Sequence, residues 1–253
     1  MPTFDLDGRG IEYRLIPGDA TKPYLVFLHE GLGSVSLWRD FPDKVARRTG
    51  HRALVYSRVG YGRSAPLNGP REPAFMHDEA LDILPRLLAG LHIAQPILIG
   101  HSDGASIALI HAAERRHAIP AVVLMAPHVF VEPVTLEAIA KAADTYETTD
   151  LRARLARHHA HVDDAFHGWS RIWLSPRFRT WSLGPEVQRL ACPALVMMGD
   201  HDEYGTLAQL DAIAEAAPGV VQKLVLGNCG HAPQRDQPDA VSEAISAFMQ
   251  ALA

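Results

Sequence analysis

The sequence predicts an α/β protein in which helices cover a largely parallel β-sheet. Short apolar runs alternate with longer segments of helical periodicity along most of the chain, and this alternation is typical of repeated β-α units. The apolar runs contain few polar residues, as expected of strands that are buried on both faces. With 253 residues, 47% of them hydrophobic, the chain is long enough to form one large domain of this kind.

Six apolar runs predict the strands of the main sheet, and the segments between them predict helices. The predicted strands are 24–31, 52–59, 96–102, 121–127, 194–200 and 221–228. The predicted helices are 37–48, 77–92, 104–117, 206–217 and 238–252. Near the start, TFDLDG and IEYRLIPG alternate between apolar and polar residues, which predicts an antiparallel hairpin at one edge of the sheet.

Residues 131–183 interrupt the alternation, because they contain no convincing strand. Trp169, Trp173 and Trp181 lie in this segment, and Phe166, Trp169 and Trp173 recur at helical spacing. These aromatic side chains therefore share one helix face. That face is either a small core of the segment itself or the apolar wall of a pocket, and one face can serve both purposes.

Charge and composition exclude several classes of protein. The formal net charge is -5 and the basic residues are scattered, which argues against a nucleic-acid partner. Cys192 and Cys229 are too few for a disulfide framework and are expected to be small buried apolar residues. Because no secretory signal or membrane-spanning run is visible, we expect a cytoplasmic soluble protein without a membrane partner. The oligomeric state is left open.

The motif GHSDGA places Ser102 between Gly100 and Gly104, where a predicted buried strand meets a predicted buried helix. A G-x-S-x-G motif in this position is typical of a tight, strained turn that exposes the serine hydroxyl at the edge of a sheet. The helix that follows directs its N–H groups and its positive dipole at the same point. Ser102 as a simple helix cap is the weaker interpretation, because the glycines and the strand–turn–helix setting occur together.

A serine nucleophile requires a histidine base and an acid that orients it. His231 follows the last predicted strand in LGNCGHAPQRDQP, which places it at the same sheet edge as Ser102. The preceding strand is followed by MMGDHDEYGT, which offers Asp200, Asp202 and Glu203. The order serine, acid, histidine along the chain is the order expected for this architecture.

Five segments together resemble the serine-dependent α/β-hydrolase superfamily: FLHEGLGS, SRVGYGRS, GHSDGASIAL, GDHDEYGT and GNCGHAPQRDQP. The resemblance covers nearly the whole chain and is weakest over 131–183. It implies a mostly parallel eight-stranded sheet flanked by helices, with a helical cap inserted after the sixth strand. The core would then be residues 1–130 and 184–253, and the cap residues 131–183. The resemblance also favours Asp202 over Asp200 as the acid.

The resemblance further implies an oxyanion hole made of two backbone N–H groups. One belongs to Asp103, the residue after the nucleophile. The other belongs to Gly31 in the HEGLG loop, with Leu32 as the fallback. Glu30 stands where the family usually has glycine. We expect the carboxylate of Asp103 to have a structural role, either at the helix start or paired with a basic residue.

Two further segments suggest other ligands. RHHAHVDDAFHGW contains four histidines and two aspartates, but its spacing matches no strong metal signature and a serine triad requires no metal. The glycines of SRVGYGRS lack the spacing and the lysine of a phosphate-binding loop. We therefore expect no metal, nucleotide or other cofactor.

The leading interpretation is a serine hydrolase that cleaves carboxylic esters, or lactones or thioesters, through an acyl-enzyme on Ser102. The partner would be a small-molecule substrate whose apolar part rests against Leu32, Trp169 and Trp173.

Two alternatives stay open. The first is hydrolysis of carbon–carbon bonds in aromatic ring-cleavage products, whose carboxylates need an arginine such as Arg171, Arg177 or Arg179. The second is a hydrolase-like receptor that binds a small ligand with little turnover.

Overall fold

The computed structural model, which describes residues 1–115 and 118–252, contains one eight-stranded sheet in the order β1-β2-β4-β3-β5-β6-β7-β8. The strands are β1 (Thr3–Leu6), β2 (Arg9–Ile16), β3 (Leu25–Leu28), β4 (Ala53–Tyr56), β5 (Ile97–His101), β6 (Val122–Met125), β7 (Ala194–Gly199) and β8 (Val221–Leu226). The β1–β2 and β2–β4 pairs are antiparallel, and the other neighbouring pairs are parallel. The predicted mostly parallel sheet with an antiparallel hairpin at one edge is confirmed.

Helices lie on both faces of this sheet. They are α1 (Phe41–Thr49), α2 (Phe75–Asp78), α3 (Leu84–Gly90), α4 (Asp103–Glu114), α5 (Pro133–Thr148), α6 (Leu151–Leu155), α7 (Val162–Leu174), α8 (Gly184–Val187), α9 (Ala208–Ala216), α10 (Pro233–Asp236) and α11 (Pro238–Gln250). A π-helical segment, Glu79–Ile83, joins α2 to α3, so the predicted helix 77–92 is built from three consecutive pieces. Residues 116 and 117 of the predicted helix 104–117 lie outside the described residues.

The strand boundaries differ from the predicted ones in a consistent way. The predicted strand 24–31 ends at Leu28, because the next residues leave the ladder and form a loop at the carboxyl edge of the sheet. The predicted strand 52–59 ends at Tyr56 for the same reason. The predicted strand residues beyond the ladder are mostly polar, yet His29, Gly31, Ser57 and Arg58 among them are buried. The part of each predicted strand that extends beyond the ladder therefore marks a loop at the carboxyl edge of the sheet.

Both faces of the central strands are buried in separate hydrophobic clusters. Alternate residues point to opposite faces, so Val26 and Leu28 join one cluster while Leu25 and Phe27 join the other. Helix α4 is buried from Asp103 through Ala113. This helix therefore starts inside the protein, as its composition predicts.

The segment 131–183 contains α5, α6 and α7 and leaves the core between β6 and β7. Its two ends meet, because Phe130 and Ser182 form an isolated antiparallel bridge and the N–H of Leu183 donates to the carbonyl of Val129 over 2.7 Å. The aromatic face of α7 is buried in the same hydrophobic cluster as one face of the sheet. The division into a core and a cap stays a prediction at this point.

In the part of the chain that the structure describes, no helix is long and apolar enough to cross a membrane. Cys229 is buried and Cys192 is half-buried, and both are free thiols. Burial raises the pKa of each thiol to about 11. Both side chains are therefore neutral near pH 7.

Candidate active site

Ser102 occupies a strained turn between β5 and α4. Its φ and ψ are 52° and -120°, a conformation that residues with a Cβ rarely adopt and that costs on the order of 1–3 kcal/mol. The backbone N–H of Ser102 donates to the carbonyl of Met125 over 2.9 Å, which holds the turn against the neighbouring strand. The hydroxyl makes no helix-capping hydrogen bond. Ser102 is therefore not a simple N-cap.

The two glycines that flank the turn are required by packing. A Cβ on Gly100 would lie 2.3 Å from the carbonyl oxygen of Gly104 and 2.5 Å from the Cα of Ala105. A Cβ on Gly104 would lie 2.0 Å from the carbonyl oxygen of Leu28 in β3. Each contact is far below van der Waals distance, so helix α4 can start this close to the sheet only with glycine at both positions.

Ser102, His231 and Asp202 form a continuous chain of hydrogen bonds. The Nε2 of His231 lies 2.9 Å from the Oγ of Ser102, and its Nδ1 lies 2.8 and 2.9 Å from the two carboxylate oxygens of Asp202. An ionised carboxylate only accepts hydrogen bonds, so Nδ1 carries the proton and Nε2 is free to accept from the hydroxyl. Asp200 instead accepts from the backbone N–H of Cys229 over 3.3 Å. The structure thus brings Asp202, rather than Asp200, to His231.

Asp202 is held as a buried carboxylate. Its side chain is 1% exposed, and burial by itself acts to raise its pKa. The hydrogen bond from His231, the charge of that ring and the backbone N–H of Tyr204 at 2.8 Å outweigh burial, so the pKa of Asp202 is lowered from its ordinary value. Glu203 supports the same loop, because its carboxylate accepts from the backbone N–H of His231 over 3.1 Å.

The residues of the two predicted oxyanion donors, Gly31 and Asp103, line the same cavity as Ser102. Asp103 is the first residue of α4, so its N–H has no intrahelical acceptor. The N–H of Gly31 has no acceptor among residues 1–115 and 118–252, and a Cβ on Gly31 would lie 2.2 Å from the indole Nε1 of Trp169. The loop at Gly31 is therefore packed directly against the helix that carries Trp169.

Asp103 and Glu30 place carboxylates near these donors, and burial acts on both of them. The carboxylate of Asp103 is 1% exposed, accepts from the indole N–H of Trp173 over 3.2 Å, and lies 3.8 Å from the guanidinium of Arg58. Burial raises the pKa of Asp103, and Arg58 opposes that rise. Burial also acts to raise the pKa of Glu30, but the neighbouring His101 outweighs it and lowers that pKa to about 2. Glu30 is therefore ionised at neutral pH.

A cavity of about 220 Å³ opens above Ser102 and His231. The predicted pocket residues Leu32, Trp169 and Trp173 all line it. The side chains of Trp169 and Trp173 also belong to the main hydrophobic cluster, so this aromatic face is both core and cavity wall. The other lining side chains include Glu30, His128, Thr135, Ile139, Tyr204 and Arg235.

The sequence profile of the alpha/beta hydrolase family matches residues 25–244 of the chain. The chain belongs to this family. Over 121 residues it is 31% identical to the sn-1-specific diacylglycerol lipase ABHD11 of Mus musculus, in an alignment that covers 48% of this chain and 38% of that protein. This α/β hydrolase thus spans well under half the length of the curated relatives that it first matches.

Solved structures share the fold over almost the whole length of this α/β hydrolase. The enol-lactonase from Burkholderia xenovorans LB400 aligns with a TM-score of 0.76 and 23% identity, covering 98% of this chain and 100% of the other. The meta-cleavage product hydrolase from Pseudomonas fluorescens IP01 aligns with a TM-score of 0.72 and 18% identity, covering 97% and 96%. At these identities the similarity establishes the fold alone.

The arginines that the sequence offers for a carboxylated substrate lie away from the Ser102 cavity. Arg171 and Arg177 line a different cavity of the α/β hydrolase, and Arg177 pairs with Glu72 over 2.7 Å. Arg179 is exposed and does not line the Ser102 cavity. Arg235 lines the Ser102 cavity, but it is exposed and paired with its neighbour Asp236.

The histidines of RHHAHVDD connect the segment 131–183 to the core. The Nδ1 of His158 lies 2.9 Å from the hydroxyl of Ser36. His159 accepts from the N–H of Gly62 over 3.0 Å and donates to the carbonyl of Leu32 over 3.0 Å. Across residues 1–115 and 118–252, no three His, Cys, Asp or Glu side chains are grouped to hold a metal ion.

Sequence reasoning missed the rings beside His231, among them those of His128 and Tyr204. His128 is 2% exposed, and its ring centroid lies 5.6 Å from that of His231. Burial lowers the pKa of His128 to about 3, so its ring is neutral. The ring centroid of Tyr204 lies 4.7 Å from that of His231. Both residues follow predicted strands within a few positions, which is the signal that could have found them.

Proposed function

We propose that this α/β hydrolase cleaves carboxylic esters, with lactones and thioesters in the same class, through an acyl-enzyme on Ser102. The observation that carries the proposal is the 2.9 Å contact between the Nε2 of His231 and the Oγ of Ser102. The opposite nitrogen of the same ring is held by Asp202, so the imidazole is oriented to accept the hydroxyl proton.

The reaction follows from this geometry in two steps. As the Oγ of Ser102 attacks the carbonyl carbon, its proton moves to the Nε2 of His231, and the carbonyl oxygen becomes negative. The N–H groups of Gly31 and Asp103 stabilise that oxygen. His231 then donates the proton to the departing alkoxide. A water molecule attacks the acyl-enzyme with His231 as the base, which releases the acid and restores Ser102.

The walls of the cavity favour a small substrate with an uncharged apolar part. The volume of about 220 Å³ fits a short chain or one ring, and Leu32, Trp169 and Trp173 supply apolar surface. The ionised Glu30 at the same cavity disfavours an anionic acyl group. The positions of Arg171 and Arg177 outside the cavity leave the carbon–carbon bond alternative with little support.

The segment 131–183 is proposed to act as a helical cap over this site, with residues 1–130 and 184–253 as the core. Trp169 and Trp173 on α7 form one wall of the cavity, and the chain leaves and re-enters the core at one point, beside Phe130. The shape of the substrate would then be selected by this segment, while the reaction is carried out by the loops of the sheet.

The test is a series of p-nitrophenyl esters of increasing acyl length, measured with the wild type and Ser102→Ala. We expect turnover by the wild type to be highest for short acyl chains, and at least a thousandfold loss in the folded variant, in line with about 10⁶-fold for nucleophile removal in a serine triad. Turnover that persists in Ser102→Ala would contradict the nucleophile. Absence of turnover in the wild type would favour the carbon–carbon and receptor alternatives, and a dienoate ketone would be tried next.

A further inference from the structure

We propose that Arg58, together with His29, is a positioning residue that orients the N–H of Gly31 toward the reacting oxygen. The inference rests on the proposed function, because it concerns the oxyanion hole of that reaction. It starts from the peptide group between Glu30 and Gly31, whose carbonyl and N–H point in opposite directions because the group is planar and trans. Whatever holds the carbonyl therefore sets the direction of the N–H.

The carbonyl oxygen of Glu30 is held by three donors. The Nδ1 of His29 lies 2.7 Å from it, the Nη2 of Arg58 lies 2.8 Å from it, and the N–H of Gly33 lies 3.1 Å from it. Hydrogen bonds in a chain polarise one another, so a peptide whose carbonyl accepts a charged donor is also a stronger N–H donor. The three donors therefore fix the direction of the Gly31 N–H and make it a stronger hydrogen-bond donor.

The protonation of His29 is determined by its partners. The backbone N–H of Arg58 donates to its Nε2 over 3.0 Å, so the proton of the neutral ring is on Nδ1 and is donated to the Glu30 carbonyl. His29 is fully buried, and burial lowers its pKa well below its ordinary value. The ring therefore stays neutral and keeps this tautomer across the working pH range.

Arg58 contacts both halves of the oxyanion hole. Its side chain is 1% exposed, and the same Nη2 that holds the Glu30 carbonyl lies 3.8 Å from the carboxylate of Asp103. Asp103 supplies the second backbone donor, and its negative charge would oppose an oxyanion nearby. The buried guanidinium offsets that charge while fixing the Glu30–Gly31 peptide. A purely structural buried ion pair would be expected to affect folding without affecting the transition state.

The experiment compares Arg58→Lys with Arg71→Lys. Both arginines stack on the ring of Tyr61, with guanidinium carbons 4.8 and 5.0 Å from its centroid, but Arg71 donates to the carbonyl of Val59 rather than to the HEGLG loop. In Arg58→Lys we expect kcat on the best ester to fall about tenfold to a hundredfold, somewhat less than for complete removal of an oxyanion donor. KM should change by less than about twofold, because the transition state alone uses this donor. Arg71→Lys should retain kcat within about threefold.

Affinity for an alkylboronic acid supplies a readout that a structural role would not move. The acid forms a tetrahedral adduct with Ser102, and its oxygen takes the place of the oxyanion. In folded Arg58→Lys its affinity should fall by the same factor as kcat/KM. Wild-type kcat in folded Arg58→Lys, or an unchanged boronate affinity, would overturn the inference.

The hydrogen bonds of His29 and Arg58 to the Glu30 carbonyl form a clamp on the Glu30–Gly31 peptide. A second pair of variants tests this clamp if Arg58→Lys does not fold. The amide of His29→Asn can replace the Nδ1 donor to Glu30, whereas His29→Leu cannot. We expect His29→Asn to retain at least about fivefold more kcat than His29→Leu. Equal loss in the two folded variants would contradict the clamp.

Failure of the clamp and failure of the proposed function are separable. If the wild type shows no Ser102-dependent turnover, the proposed function fails, and the clamp is then judged from the amide ¹⁵N resonance of Gly31. That resonance reports hydrogen bonding at the Glu30 carbonyl, and it should move more in Arg58→Lys than in Arg71→Lys. Equal displacement in both variants would overturn the inference without reference to catalysis.

Discussion

The loops at the carboxyl edge of the sheet and the segment 131–183 both line the cavity, but they are held in different ways. In the sheet loops, the backbone holds two of the proposed reacting groups: Ser102 lies in a strained turn, and Asp202 accepts from two N–H groups of its own loop. In the segment 131–183, side chains on one face of α7 form the wall of the cavity. Individual side-chain hydrogen bonds, such as the one from Trp173 to Asp103, connect this face to the core.

This difference separates the two tasks of the site. Side chains of α7 that make no contact with the sheet loops can change without moving the backbone of those loops, whereas a change at Ser102 or Gly104 would disturb the turn itself. The sheet edge is therefore expected to determine the reaction, and the segment 131–183 to determine the substrate. Substitutions in the two regions test that division.

The largest effect is expected at the acid of the sheet loops. Asp202→Asn removes the negative charge and offers an amide N–H to the Nδ1 of His231, which favours the wrong tautomer, and kcat should fall about a thousandfold to ten-thousandfold. Asp200→Asn is the matched control, because Asp200 lies on the same loop but bonds to the N–H of Cys229. It should retain kcat within about threefold. Initial rates on the best p-nitrophenyl ester measure both, and the reverse ranking would assign the acid to Asp200.

An intermediate effect is expected where the two regions meet. Trp173→Phe removes the indole N–H that donates to Asp103, and loss of a hydrogen bond to a buried carboxylate costs about 1–3 kcal/mol of unfolding free energy. The rate kcat/KM should fall about tenfold, because Asp103 lies next to Ser102 and small displacements there are costly. Chemical denaturation and initial rates provide the two measurements.

Trp181→Phe is the control for that prediction. Both indoles pack on Phe178, with centroid distances of 5.0 and 5.1 Å, but the Nε1 of Trp181 has no hydrogen-bond partner among the described residues. Its replacement removes the same ring atoms, from a half-buried side chain, and no hydrogen bond. Equal losses of stability and of activity in the two variants would contradict the prediction. The hydrogen bond from Trp173 to Asp103 would then add nothing to the packing of the ring.

The sequence signals at the sheet edge are local. Ser102, Asp202 and His231 each follow an apolar run, and the carboxyl ends of parallel strands meet at one edge. The role of Arg58 could not be found in this way. Arg58 follows β4, and its guanidinium contacts the carbonyl of Glu30 in the loop that follows the neighbouring strand β3. The charged residue after the strand in SRVG is the only local sign of it. The cavity depends on how α7 packs, and no spacing rule supplies that packing.

The smallest effect is expected within the segment 131–183, at a surface cluster. Asp163 accepts from the hydroxyl of Tyr146 and from the guanidinium of Arg152, each at 2.6 Å. The bond from Arg152 and then the bond from Tyr146 lower the pKa of Asp163 to about 2. Because the folded pKa lies below the ordinary value of about 3.9, the carboxylate contributes stability at neutral pH, and that contribution is lost as the pH falls toward 2.

Asp163→Asn should therefore lower the Tm by about 1–3 °C at pH 7, since exposed ion pairs are weak and a chain of this size changes Tm only slightly per unit of free energy. The difference between variant and wild type should be constant from pH 7 to pH 5 and shrink as the pH approaches 3, and kcat at pH 7 should be unchanged. A difference in Tm that grows at low pH would contradict the sign of the shift. A fall in kcat would mean that this surface of the segment is coupled to the reacting groups, and the separation between the two regions would then fail at its most remote point.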